Sequence, residues 1–203
     1  MKPLIVMVAV NEPYESQARE FVKSAQADVL IVTRDMLGSE LSDGLRREKA
    51  DFASFIPSNH EGSVILIDAD SVVTGEVSTP FSPPKGTVAG IEIYKGKTLH
   101  HPEGILPPKS GVYLDTLCLY FHDLEDAKTV SGYWVAKYDE LTSHKTPFVR
   151  DMWGFNFCSH LFNTMAAPEV TYSQPIKGVE HLFTETASLP KNIYTTNAKV
   201  STK

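Results

Sequence analysis

Residues 63–81 read SVILIDADSVVTGEVSTPF. Two carboxylates, Asp68 and Asp70, stand one residue apart directly after the apolar run Val64-Ile65-Leu66-Ile67. A run of that kind fits a strand covered on both faces. In open α/β sheets, ligands bind beyond the carboxyl ends of the strands. Two acids sharing one rim repel each other unless a cation neutralises them. A hard divalent ion that favours oxygen ligands, Mn2+ or Mg2+, suits such a pair and bridges readily to a diphosphate. The plainer alternative is a pair of solvated acids opening a turn, and D-x-D alone does not decide between them.

The flanking pattern indicates what must position these acids. Residues 3–10 form a β-rich apolar run. Residues 15–27 read as a helix with Ala18, Phe21, Val22 and Ala25 on one face. Residues 28–33 and 63–67 read as further buried strands, with a helix over 41–55 that carries Arg46, Arg47 and Lys49. Strands alternating with helices predict an α/β sheet that begins mainly parallel. The stretch 80–108 holds six prolines and one strand candidate, 87–94. A strand over 112–121, helices over 124–141 and 153–163, and short segments at 170–172 and 178–183 complete the reading. One domain over 1–190 and a polar tail over 191–203 are expected, without repeats or a linker.

Composition sets outer bounds. The chain has 203 residues, a net charge of -6, 42% apolar and 22% charged residues, as an ordinary soluble globular protein does. The acid excess gives no support for broad binding to a polyanion, although a local basic cleft is compatible with it. No run approaches the ~20 apolar residues of a membrane span. The apolar start runs straight into Asn11-Glu12-Pro13 without a cleavage site for a signal peptide. Two cysteines, Cys118 and Cys158, make neither a disulfide framework nor a zinc site, so a reducing cytoplasmic setting is expected.

Five further segments carry chemistry-bearing residues in order. VAVNEPYESQAREFVKS (8–24) holds Asn11, Tyr14, Ala18 and Ser24; LRREKADFASF (45–55) holds Arg46 and Lys49; KSGVYL (109–114) holds Ser110 and Gly111. RDMWGFN (150–156) holds Asp151 and Asn156, and KGVEHLF (177–183) ends near His181. Taken singly, each has an ordinary reading. Tyr14 packs and Asn11 turns the chain; Lys49 belongs to a solvated face. Ser110-Gly111 makes a tight turn, Asp151 caps a helix, and His181 is structural.

With VILIDADSVVTGEVSTPF, these segments resemble, over residues 3 to about 185, the nucleotide-sugar glycosyltransferases of the GT-A fold. The resemblance is strongest to the glycogenin and galactosyltransferase-like group, family 8. It implies a single-domain α/β, Rossmann-like GT-A fold with a mainly parallel mixed sheet flanked by helices. It implies a metal-dependent transfer of a hexose from a nucleotide-sugar donor, a UDP-sugar such as UDP-glucose or UDP-galactose, with retention. Asp68, Asp70 and His181 would hold Mn2+ (or Mg2+). Val10, Asn11, Tyr14, Lys49, Asp68, Ala69, Asp70, Ser110 and Gly111 would bind the nucleotide-sugar. Asp151 and Lys49 would be catalytic. The chain departs from the family at Lys109 (usually Asn), Met152 (usually Gln), Thr184 (usually Gly) and Ala187 (usually Lys). Lys177 and Lys191 are the candidates to replace the last as a phosphate contact.

Two rival readings accompany this one. D-A-D-S-V also matches the opening of haloacid-dehalogenase-type phosphotransferases, with Asp68 as nucleophile and Asp70 as acid/base. That class usually also needs a later lysine and a downstream acidic pair after another strand, and no convincing Asp pair follows a strand here. The altered family positions are also compatible with a fold that binds a sugar nucleotide or carbohydrate without turnover. The acceptor stays open between a glycan, a lipid-linked sugar, a protein side chain and a modified nucleobase. The stretch 80–108, with Tyr94, His100 and His101, is the expected acceptor-side surface.

Overall fold

The structure, a computed structural model, describes residues 2–37, 46–78, 81–95, 106–143, 151–168 and 170–182. Strands β1 (Leu4–Val8) and β3 (Val64–Ile67) contain no polar side chain, and their central residues are buried. They pair in parallel, Leu4 with Val64 and Val6 with Leu66. On the other side of β1 lies β2 (Asp28–Val32), also parallel. Strand β4 (Ser71–Ser78) leaves this sheet, whereas β5 (Thr87–Ile93), β6 (Tyr113–Phe121) and β7 (Asn163–Ala166) complete it. The order is β2-β1-β3-β6-β5-β7. Strand β6 is antiparallel to both its neighbours, and β7 is parallel to β5, so β6 alone opposes the other five described strands. The result is a mixed, mostly parallel α/β sheet of Rossmann-like kind. Strand β8 (Lys177–His181) pairs antiparallel with β4 in a separate two-stranded sheet.

Alternation along the strands feeds two cores. Val6 and Leu66 point to one face, where Phe52, Phe121, Trp134 and Phe155 are fully buried. That layer is supplied by α2 (Arg46–Ala50), α3 (Leu124–Ser143) and α4 (Asp151–Cys158). Ile5, Met7, Ile65 and Ile67 point to the other face, against Phe21 of α1 (Tyr14–Ala25) and Val179 of the small sheet. Each large side chain so buried contributes roughly 1.5–3 kcal/mol of transfer free energy. Helix α3 starts where the Asp123 carboxylate accepts the Asp126 amide at 2.9 Å, an N-cap. No helix among the described residues is long and apolar enough to cross a membrane.

Four elements differ from the sequence expectation. The helix expected over 41–55 is α-helical only at Arg46–Ala50, then tightens into a 3-10 turn at Phe52–Phe55; residues 41–45 lie outside the described residues. Strand β4 has no counterpart in the sequence reading, because VVTGEV alternates weakly and contains a glycine; it pairs with β8. The helix expected over 153–163 ends at Cys158, where Ser159 Oγ donates to Asn156 O at 2.6 Å. A 3-10 turn follows, and Asn163–Ala166 becomes β7 alongside β5. Residues 170–172 belong to a turn in which the Thr171 and Gln174 backbones bond each other at 3.1 Å. The tail 191–203 lies outside the described residues.

Candidate metal and donor site

Strands β1 and β3 are parallel, so their carboxyl ends open on one rim. Asp68 follows β3 and stays zipped to the sheet, its amide donating to Leu117 O at 3.0 Å. Ala69 and Asp70 then turn the chain into β4. The β4–β8 register opposes Ser71 to His181, and Leu182 N donates to Asp70 O at 2.9 Å. That pairing carries the imidazole to the acids: His181 Nδ1 lies 3.2 Å from Asp70 Oδ1. One ligand atom from each of Asp68, Asp70 and His181 falls within 4.8 Å of the others. Burial holds the His181 pKa below its ordinary value; Asp70 opposes this and Lys49 reinforces it. The imidazole is therefore neutral near pH 7 and offers a lone pair.

Helix α2 delivers the counter-charge. Lys49 Nζ lies 2.6 Å from Asp68 Oδ1 and 3.3 Å from Thr116 Oγ1, with the side chain 13% exposed. Arg47, two residues earlier, faces away and forms a fork with Asp139 of α3 at 2.9 and 3.3 Å. Residues two apart on a helix do not share a face, so one basic run serves both packing and the rim. Lys49 thus meets Asp68 directly and is not part of a solvated face.

The donor set fits a hard or borderline divalent ion. Two carboxylates and a neutral imidazole suit Mn2+, and Mg2+ less well. With ligands at about 2.1 Å, opposite donors of a bound ion are about 4.2 Å apart. The three atoms lie within 4.8 Å of one another, a separation of the same order as that span.

The remaining expected residues divide by position. Val10 (3% exposed) and Ala69 (7% exposed) are buried beside the rim, where backbone rather than side chain is presented. Asn11 is exposed and its carbonyl accepts the Glu15 amide at 3.1 Å, starting α1. Tyr14 is 42% exposed at the first residue of that helix. Ser110 and Gly111 precede β6 and are engaged locally, away from the two acids and the imidazole in the contacts they make. Ser110 Oγ lies 2.5 Å from Thr164 Oγ1, and Gly111 adopts φ +75°. Asp151 is the first residue of α4, and its side chain lies outside the described residues. Asn156 is 1% exposed and brackets β6, bonding both Leu114 O (2.7 Å) and Leu114 N (3.0 Å); it is a structural clip. Lys177 begins β8 and His181 ends it, so the lysine sits a strand length, roughly 13 Å, from the acids. Tyr94, from the expected acceptor side, stacks on Trp153 at 6.4 Å. His100, His101, Thr184, Ala187 and Lys191 lie outside the described residues.

Two residues at the rim escape the sequence reading: Asp115 and Thr116. The β5–β6 register runs from Gly90 with Leu119 to Glu92 with Leu114. One residue of β5 thereby opposes four of β6, an irregularity of the bulge kind between Leu114 and Leu119. Thr116 uses this to reach Lys49, and Asp115 acts electrostatically on His181. The available signal was a polar Asp-Thr pair interrupting the apolar run VYLDTLCLYF.

Among protein families and curated protein sequences, no family model and no curated sequence matches the chain.

Proposed function

We propose that this chain is a metal-dependent glycosyltransferase of the GT-A fold. It moves a hexose from a nucleotide-sugar, a UDP-sugar, to a hydroxyl acceptor. The observation that carries the reading is the grouping of Asp68, Asp70 and His181 within 4.8 Å at the carboxyl end of β3, with Lys49 Nζ 2.6 Å from Asp68. The single reversed strand in a mostly parallel sheet supports a two-part rim, with the nucleotide over β1 and the sugar toward β6.

Breaking the anomeric bond leaves negative charge on the departing diphosphate and positive character on the sugar. When bound, Mn2+ or Mg2+ supplies Lewis-acid stabilisation of that departing charge. Asp68, Asp70 and His181 are the residues that hold it. Lys49 adds a fixed ammonium beside the same phosphates, oriented by the Thr116 hydroxyl. Tyr14 offers a ring face for the base, and Asn11 an amide for its edge. Asp151, at the start of α4, is assigned to the sugar and acceptor side. Retention of configuration is part of the proposal, with no side chain assigned as nucleophile.

The test is UDP release from UDP-glucose and UDP-galactose, with and without Mn2+, in the protein and in Lys49→Met. Release that requires Mn2+ and falls about a hundredfold in Lys49→Met is expected, as for loss of one fixed charge-stabilising donor. Metal-independent release, or cleavage of a generic phosphoester in place of the UDP-sugar, overturns the reading, and the latter result supports a phosphotransferase.

A further inference from the structure

His181 belongs to a segment that the sheet alone does not hold tightly. Strand β8 pairs only with β4 among the described strands, and its register with β4 slips between Val73 and Ser78. Before it, residues 170–176 run as a turn and a short extended stretch. That stretch is tied to β6 at several points. Tyr120 Oη donates to Pro175 O at 2.5 Å, and Cys118 Sγ lies 3.6 Å from the same oxygen. The His181 amide in turn donates to Ser173 O at 3.2 Å. Just before those anchors in the chain stands Tyr172, 40% exposed, whose hydroxyl donates to the Asp115 carboxylate.

Asp115 is itself fixed. Its Oδ1 accepts the Leu117 amide at 2.9 Å, and Leu117 O accepts the Asp68 amide at 3.0 Å. Asp115 thus sits two residues before the carbonyl that places the first acid. Through Tyr172 it also grips the segment that places the imidazole. The bulge in β6 is what aims it there, since a regular strand would spread residues 115–118 along the ladder with β5.

We infer that Asp115 is a positioning residue of the metal site: it clamps the 170–182 segment through the Tyr172 hydroxyl, so that His181 is held against Asp68 and Asp70. This rests on the metal reading above. Neither Asp115 nor Tyr172 belongs to the three-residue ligand group. Outer-shell partners of this kind are worth about 10–100-fold in metal affinity.

The test uses Mn2+ alone, titrated calorimetrically into the full chain. The variants are Asp115→Ala, Asp115→Asn, Tyr172→Phe and the double variant Asp115→Ala/Tyr172→Phe, with thermal melting recorded alongside. Tyr172→Phe removes a hydroxyl from a partly exposed ring, so it tests the clamp even where Asp115→Ala impairs folding. Expected is a loss of about tenfold in Mn2+ affinity for Tyr172→Phe and for Asp115→Ala. The double variant is expected to be no worse than either single one, the mark of two groups acting as one unit. Asp115→Asn keeps an oxygen to accept the Tyr172 hydroxyl and retains most of the affinity. If Tyr172→Phe binds Mn2+ normally while Asp115→Asn and Asp115→Ala lose equally, Asp115 acts by charge and the clamp is wrong. Additive losses also overturn it. If the unmodified chain binds no Mn2+, the metal reading itself has failed, a result distinct from the other two.

Discussion

Asp70→Asn lowers Mn2+ affinity by about a hundredfold or more, beyond what even an outer-shell partner supplies. The substitution keeps the shape of the side chain and removes its charge. Asp70 has 16% of its side chain exposed, its Oδ1 is 3.2 Å from His181 Nδ1, and it lies on the two-residue turn Ala69-Asp70. Its neighbour Asp68 has Lys49 at 2.6 Å as counter-charge. Next to Asp70 is an imidazole kept neutral by burial. A carboxylate held beside a neutral partner gains little for the fold, because the Coulombic return is small and desolvation costs remain. The melting temperature of Asp70→Asn in metal-free buffer therefore stays level or rises, while metal affinity collapses. Opposed directions of that sort mark a residue kept for a ligand rather than for stability. Equal falls in stability and affinity would assign Asp70 to the fold. Calorimetric titration and thermal melting on the same samples make the comparison.

Gly178→Ala damages both fold and site. Gly178 adopts φ +82°, in the left-handed region that costs a side chain of the order of 1–3 kcal/mol. A methyl group built there would lie 2.3 Å from Glu76 O and 2.7 Å from Glu76 C, both backbone atoms of β4. Neither can rotate away, so the two strands must part. The predicted loss is about 2–4 kcal/mol of folding stability, in the range of backbone-incompatible substitutions. Because β8 ends at His181, the same displacement withdraws the imidazole from the acids. Mn2+ affinity falls about tenfold even at temperatures where the variant stays folded. Urea unfolding and a Mn2+ titration read the two effects. An unchanged midpoint would mean that the strands are not packed as described.

The centre of the sheet was legible because β1 and β3 are apolar throughout. VILI and LIVMV carry no alternation, and full burial is the ready explanation for five adjacent apolar residues between helical patterns. Asp68 was legible for the same reason: an acid ending such a run has to leave the core at a strand terminus. Strand β4 was not legible. It is half exposed, contains Gly75, and owes its extended form to β8, far along the chain. Strand β7 was not legible: the helix pattern was carried on to Asn163, and NTMA is too short and too polar to announce a strand without β5 beside it. Lys49 could be singled out but not oriented. Arg47 and Lys49 look alike in the sequence, and only the position of Asp139 on α3 shows which of them turns away. Asp115 needed the bulge, which arises from a register between β5 and β6 that no local pattern encodes. Asn156 matched a family position, yet three hydrogen bonds to the Leu114 and Met152 backbones give it a packing role.

The most direct test of the central claim is UDP binding measured calorimetrically with Mn2+ and with chelator, on the chain and on Asp68→Ala. The account predicts that UDP binds with Mn2+ and at least about tenfold more weakly without it, by loss of the bridge between acids and diphosphate. It also predicts that Asp68→Ala abolishes the difference. UDP binding that is equal with Mn2+ and chelator, or a Mn2+ dependence that survives in Asp68→Ala, would contradict it.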